Sequence, residues 1–334
     1  MSQKSLLSAS LLAAARDRLD ISIPVLLVLA VLFVLLPLIP GEFILVVGTE
    51  ILILGLFALS FNLIHGFMGQ ISFGHAAFFG LGAYTTALIL QPLTAAGGLG
   101  TITFLLAILA AVPVSALGAL VVGYFCVRLT GIYFAMLSMA FGELIFYVVF
   151  SWYSFTKGDD GIQGLMPPPL LKSPVVYYYF TFVVVALAAA LLWRITRSPF
   201  GYTLRLLRDN PARTAFLGID VRRVMLVNFV LAGSFAGLAG ALWGPFARSV
   251  SPTLLGWAQS GVPVFMSLIG GAGYFAGPLV GSIVYTGLNS YVTRFTIYWP
   301  LTIGLVILAM VLFLPGGLLS VVDGWLKAKR RGEP

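Results

Sequence analysis

The sequence predicts an all-α integral membrane protein, a polytopic bundle of about ten transmembrane segments built as one domain over 1–334. Three observations carry that prediction. Hydrophobic residues make up 60% of the chain and charged residues 9%, against roughly 25% charged in soluble domains. Several windows hold enough consecutive apolar residues, about 20, to cross a hydrocarbon layer about 30 Å thick at about 1.5 Å per helical residue. These runs do not alternate polar with apolar, as barrel strands would.

The first element is a leader, 1–23, carrying Lys4, Arg16 and Arg18. It resembles the start of a secretory signal, but it is long and no small-x-small cleavage site follows. It therefore reads as a cytoplasmic leader before a retained first span. Spans are predicted at 24–40, 43–64, 70–91, 101–127, 131–152, 175–193, 224–246, 257–271, 275–293 and 297–318. The segment 257–271 is short and interrupted by Pro263, which leaves open a re-entrant or broken helix in place of a full crossing, although ten passes is the parsimonious count. Basic residues favour the cytoplasmic side. Counting crossings from the leader puts Arg194, Arg197, Arg205, Arg208, Arg213, Arg222 and Arg223 inside, in a loop at 194–223. Lys327, Lys329, Arg330 and Arg331 also fall inside, in a tail at 319–334, if 257–271 counts as a crossing. The loops 92–100 and 153–174 fall outside; Arg248 and Arg294 are exceptions to the rule.

Gly233 with Gly237 and Gly240 with Gly244 give two four-residue spacings on one span, and Gly277 with Gly281 gives another. Small residues one turn apart let helix backbones approach where lipid supplies no hydrophobic drive. The single cysteine, Cys126, rules out a disulfide within the chain and reads as a buried small hydrophobe. A net charge of +8 is explained by span-end basic residues and anionic lipid, without nucleic acid. His65 and His75 are the only histidines and show no metal-ligand spacing, so no metal or cofactor is expected. No G-x-x-x-x-G-K-[ST] run occurs, so any ATP would be hydrolysed on another chain. No nucleophile set points to an enzyme.

The most informative stretch is 199–222, a charged island between two apolar runs. Ser198-Pro199 reads as cap and first helical residue. Phe200, Leu204 and Leu207 then share one face, and Arg205 and Arg208 the other. Asp209-Asn210-Pro211 ends that helix and starts a second, with Asn210 as cap and Gly218 as terminator. Two punctuated helices with outward arginines predict a shaped docking surface; the plainer alternative is a loop that only fixes orientation. Polar residues at membrane depth are the other candidates. Gln70, Ser72 and His75 follow a turn flanked by Gly66 and Gly69, where unwound backbone can face a solute. Asn62, Asn228, Gln259 and Asn289 are weaker pathway candidates. Glu50 and Glu143 lie within spans and read either as a proton relay or as hydrogen-bonded bundle residues. The glycine blocks at 69–82 and 270–281 occupy similar places, which hints at a parallel internal repeat.

Three blocks also carry a family likeness. They are Gly69-Gln-Ile-Ser-Phe-Gly-His-Ala-Ala-Phe78; Gly201, Leu204-Arg205, Leu207-Arg208-Asp209-Asn210 and Leu217-Gly218-Ile219, followed by Ala236 to Leu242; and Gly270-Gly-Ala-Gly with Gly277, Pro278 and Gly281. In register, they resemble the permeases of branched-chain amino acid ABC importers, the LivH/LivM type, and the early block leans toward the LivM-like subunit. Tyr202, Pro211, Arg213 and Pro315-Gly316-Gly317 depart from the family pattern. The resemblance implies a bacterial inner-membrane subunit working by alternating access. Its implied partners are ATP-binding subunits, a second homologous permease subunit and an external solute-binding protein. It makes 199–222 the coupling element, with Gly201, Arg205, Arg208, Asp209, Asn210 and Gly218 as its key positions. On that basis reversing the charge of Arg205 and Arg208 together is expected to abolish uptake and spare insertion. Urea and short-chain amide permeases share the pattern, and an ion-coupled secondary transporter is the alternative from another class.

Overall fold

The computed structural model describes residues 22–39, 41–95, 100–295, 297–314 and 316–331. The leader at 1–21, with Lys4, Arg16 and Arg18, lies outside them, as do the loop residues 96–99 and Pro315. The described chain is almost wholly helical: α1 (Ser22–Leu38), α2 (Glu42–Asn62), α3 (His75–Ala95), α4 (Thr101–Cys126), α5 (Ile132–Ser151) and α6 (Pro174–Arg197) come first. The island follows as α7 (Pro199–Asp209) and α8 (Pro211–Phe216), then α9 (Val221–Ala247), α10 (Trp257–Gly270), α11 (Gly277–Val292), α12 (Trp299–Phe313) and α13 (Leu318–Arg331). Two short strands, β1 (Ile162–Gln163) and β2 (Ser249–Val250), pair antiparallel.

Among the described residues, seven helical stretches are long and apolar enough to cross a membrane: Glu42–Phe67, His75–Thr94, α4, α5, α6, α9 and Pro300–Gly324. This is a multi-pass membrane protein. The other predicted spans correspond to shorter helices, with 14 residues in α10 and 16 in α11. Those two reach about 21 and 24 Å, short of a full hydrocarbon crossing.

Burial orders the bundle. In α2 every residue from Ile51 to Asn62 is buried, as a helix that is apolar all round must be when it stands at the centre. On α4, Ile102, Leu106, Leu109, Leu117 and Val121 are exposed and form an apolar outer face. The glycines of α9 bring three helices together. A Cβ on Gly237 would overlap Ser115 Oγ on α4, and one on Gly240 would overlap the Phe79 carbonyl on α3. Gly233 meets Ala119 on α4, Gly244 meets Val250 of β2, and Gly281 on α11 meets the Met266 carbonyl on α10. Gly277 sits against the Gly271 carbonyl.

The structure corrects two expectations and adds a helix. The span predicted from 70 begins at His75, because α2 runs on through a wider turn, Leu63–Phe67, and the chain stays non-helical to Gly74. Pro263 does not break 257–271, since α10 passes through it to Gly270 and is capped by Gly271, whose φ of +104° suits glycine. The tail, for which no secondary structure is predicted, contains a helix, Leu318–Arg331, and its Asp323 is buried and accepts from the Tyr274 hydroxyl at 2.8 Å. The side chains of Lys327, Lys329, Arg330 and Arg331 lie outside the described set.

Candidate functional site

The site is a pair of helix discontinuities closed over by the island. The first runs from the end of α2 to the start of α3, and the second from the end of α10 to the start of α11. They meet. Asn62 Nδ2 donates to the Tyr274 carbonyl at 3.3 Å, and a Cβ on Gly66 would overlap both the Ala272 carbonyl and Asn62 Oδ1. Asn228, from α9, donates to the Leu63 carbonyl at 2.9 Å and so holds the wide turn from the other side.

The predicted pathway residues divide at this point. Gln70 is half-buried, and its Oε1 accepts from the Gly131 amide at 2.8 Å, just ahead of α5. Ser72 is fully buried, and its hydroxyl has no partner among the described residues. His75 is fully buried; its Nε2 lies 3.0 Å from Ser60 Oγ, and its Nδ1 has no partner among the described residues. The His75 ring stacks on Phe57 with centroids 5.5 Å apart and meets Phe61 and Phe78 edge-on. Gln259 lies in the first turn of α10, beside Ser260, whose hydroxyl accepts from the Ala76 amide at 2.9 Å. The structure therefore brings Asn62, His75 and the start of α10 into one region. Asn289, on α11, keeps a buried Oδ1 without a partner among the described residues. Among the described residues no three of His, Cys, Asp and Glu gather in a way that could hold a metal ion.

On the island, Asn210 caps α8, with its Oδ1 accepting from the Arg213 amide at 2.9 Å, and Gly218 has a φ of +81° just past the helix end. Leu204 and Leu207 are buried as their spacing predicts. Ser198 is a correction: its hydroxyl donates back to the Ile195 carbonyl at 2.7 Å and caps nothing in α7. Gly201 packs on the Thr196 backbone so closely that a Cβ there would overlap the Thr196 carbonyl oxygen.

The arginines are the larger correction. Arg208 is a surface residue, yet its guanidinium turns back into the bundle. Its Nη1 donates to the Gly66 carbonyl at 2.5 Å, and its stem covers Gly69, where φ is +75°. Arg205 Nη2 donates to the Thr196 carbonyl at 3.1 Å, with its guanidinium 5.3 Å from the Phe67 ring and 5.2 Å from Tyr202. Burial, the main cause, lowers the Arg205 pKa from its ordinary value; Tyr202 opposes this, and the cations Arg197 and Arg208 add to it. Arginine nonetheless stays charged in proteins. The surface left to solvent is a different one. Asp209, Asn210, Pro211 and Arg213 are exposed, and Phe216 and Leu217 are 91% and 66% exposed. Spacing alone hides this, because a long arginine can reach sideways from an outward position to an unpaired carbonyl.

Sequence reasoning also left the role of Glu143 open. Its Oε1 accepts from the Trp257 amide at 2.8 Å, so this carboxylate caps the start of α10. Glu50, on α2, is half-buried.

A family model described as branched-chain amino acid transport system / permease component matches residues 43–321. The chain is 26% identical over 314 residues to the high-affinity branched-chain amino acid transport system permease protein LivM of Escherichia coli, covering 85% of this chain and 71% of that one. It is 25% identical over 310 residues to the LivM of Salmonella typhimurium, with the same coverage of 85% and 71%. It is also 29% identical over 144 residues to a probable branched-chain amino acid transport permease protein LivH of Methanocaldococcus jannaschii, covering 40% of this chain and 44% of that one. No solved structure matches the chain.

Proposed function

Because the chain belongs to the family of branched-chain amino acid transport permeases, we propose that it is the LivM-like transmembrane subunit of an ATP-driven importer. It sits in a bacterial inner membrane with both termini in the cytoplasm. It pairs with a homologous permease subunit, takes branched-chain or related amino acids from an external solute-binding protein, and moves them by alternating access. It is no enzyme itself; ATP is hydrolysed on separate subunits that grip 194–223.

The observation that carries this reading is the hydrogen bond from Arg208 to the Gly66 carbonyl. A solvent-facing pair of helices is thereby tied to the place where the central helix loses its regular ladder. A push on α7 and α8 reaches the turn Leu63–Phe67, and through Asn62 and Gly66 it reaches 272–274. Broken helices at membrane depth are where transporters rearrange, since their free backbone groups can change partners.

The geometry also supports a division of roles within the island. Arg205 and Arg208 hold the loop to the bundle, while Phe216, Leu217 and the capped turn at Asp209-Asn210 meet the motor. Reversing both arginines therefore strikes the clamp and not only the docking face. The sharper test replaces Phe216 and Leu217 with Asp and follows co-purification of ATP-binding chains in mild detergent. The expected result is loss of those chains and of leucine uptake, with membrane insertion unchanged. Solute transport by the purified chain in liposomes, without nucleotide or companion subunits, would overturn the reading.

A further inference from the structure

We propose that the Glu143 carboxylate is the point at which the translocation path recognises the ammonium group of its amino-acid solute. This rests on the importer reading above and adds a contact to it.

Depth comes first. Glu143 is the twelfth of 20 residues in α5, counting from Ile132, so it stands near mid-membrane whichever end of α5 faces the cytoplasm. It holds the first amide of α10, so α10 also begins near mid-membrane. The chain gets there by folding back inward after α9: β2 pairs with β1, and Leu255 packs on Gly80 of α3.

Openness comes second. Glu143 is only half-buried, its hydrogen bond to Trp257 is exposed, and Thr253, Trp257 and Ala258 around it are exposed too. A carboxylate at the bilayer centre costs about 2.5–3.5 kcal/mol even on the gentlest scale. An open face that carries one is therefore a wall of an aqueous path rather than a lipid surface.

Chemistry comes third. The groups on α5 and the first turns of α10 suit a cation. One carboxylate oxygen binds Trp257, which leaves the other for a ligand. Pro263 has no N–H, so the Gln259 carbonyl lacks its usual helical partner four residues on. The exposed Trp257 indole offers a ring face that attracts ammonium groups. Two oxygen acceptors and an aromatic face are an ammonium's requirements.

The test places a thiol beside the carboxylate and reads charge directly. In the assembled importer, with Cys126→Ser as background, Ala258→Cys is treated with cationic and anionic methanethiosulfonate reagents of similar size. Rates are normalised to a free thiol. A focusing negative charge in a water-filled cleft is expected to favour the cationic reagent by about tenfold, and leucine is expected to slow that reaction. Glu143→Gln keeps an acceptor for the Trp257 amide but removes the charge. It is expected to bring the ratio near unity and to cut the maximal uptake rate at least tenfold, with the subunits still co-purifying. A thiol that does not react, or a ratio near unity with Glu143 in place, overturns the proposal without needing the variant to fold. A full ratio with Glu143 unchanged, in a complex that carries no amino acid, instead places the fault in the importer reading.

Discussion

Two helix ends in this bundle are closed by opposite charges. At the island end, the wide turn after α2 leaves a carbonyl, Gly66 O, which a cation, Arg208, satisfies. At mid-depth, the start of α10 leaves an amide, Trp257 N–H, which an anion, Glu143, satisfies. Helix ends dictate the pairing, since orphan carbonyls carry partial negative charge and orphan amides partial positive charge. In both places the closing group comes from a remote element, α7 in one case and α5 in the other. The difference lies in access. The Arg208 closure is buttressed by neighbours without side-chain room, whereas the Glu143 closure stands on an open face. On the reading proposed above, the first is where force passes and the second is where a solute is met.

The largest expected effect comes from crowding the tighter closure. Gly66→Val would set a Cβ, and further methyls, into the space held by the Ala272 carbonyl and Asn62 Oδ1. Backbone cannot yield there cheaply, so the variant is expected to lose nearly all folded protein, read as the monodisperse fraction in detergent. A folded Gly66→Val would mean that the two breaks do not depend on their contact. Removing the cation is the next step down. Arg208→Ala leaves the Gly66 carbonyl without its charged donor, a loss of about 1.5–3 kcal/mol. Its thermal midpoint should fall and its uptake should collapse, even where ATP-binding chains still co-purify. Arg208→Lys restores a charge but not the planar fork, so it should recover part of the stability. At the open closure, Glu143→Ala strips the α10 cap for about 0.5–2 kcal/mol, while Glu143→Gln keeps most of it. If Ala and Gln melted alike, the carboxylate would not be acting as a cap.

Much of this was legible in the sequence. The apolar runs marked the helices, the glycine spacings marked the close crossings of α9, and the Asp209-Asn210-Pro211 turn with Gly218 marked the end of α7 and the bounds of α8. What stayed hidden depended on partners distant in sequence. Arg208 and Gly66 are 142 residues apart, and Glu143 and Trp257 are 114 apart; neither pair has any local periodicity to announce it. Pro263 read as a break because an internal proline costs about 3 kcal/mol in an isolated helix, but packing against α11 at Met266 and Gly270 overrides that local preference. The start of α3 was misplaced for a similar reason. The Ala76 amide in its first turn is satisfied by Ser260 from another helix, so no local cap marks the boundary.

The smallest effect separates two residues that look alike in the sequence. Ser198 and Asn210 both precede a proline at the head of a helix, and both are favoured cap types. Only Asn210 accepts a hydrogen bond from its helix; Ser198 spends its hydroxyl on the Ile195 carbonyl, at the end of α6. The reason is position in the chain. Asn210 stands in an exposed turn with extended backbone, φ −160°, and its side chain is free to bend over the first amides of α8. Ser198 joins two helices almost end to end, and the carbonyls terminating α6 are the nearer unsatisfied groups. Asn210→Ala should therefore cost about 1 kcal/mol and speed proteolytic nicking between 210 and 218. Ser198→Ala should stay within about 0.5 kcal/mol of the parent, with nicking unchanged. Equal nicking in the two variants would mean that the island's shape is held by the bundle beneath it and owes nothing to its own caps.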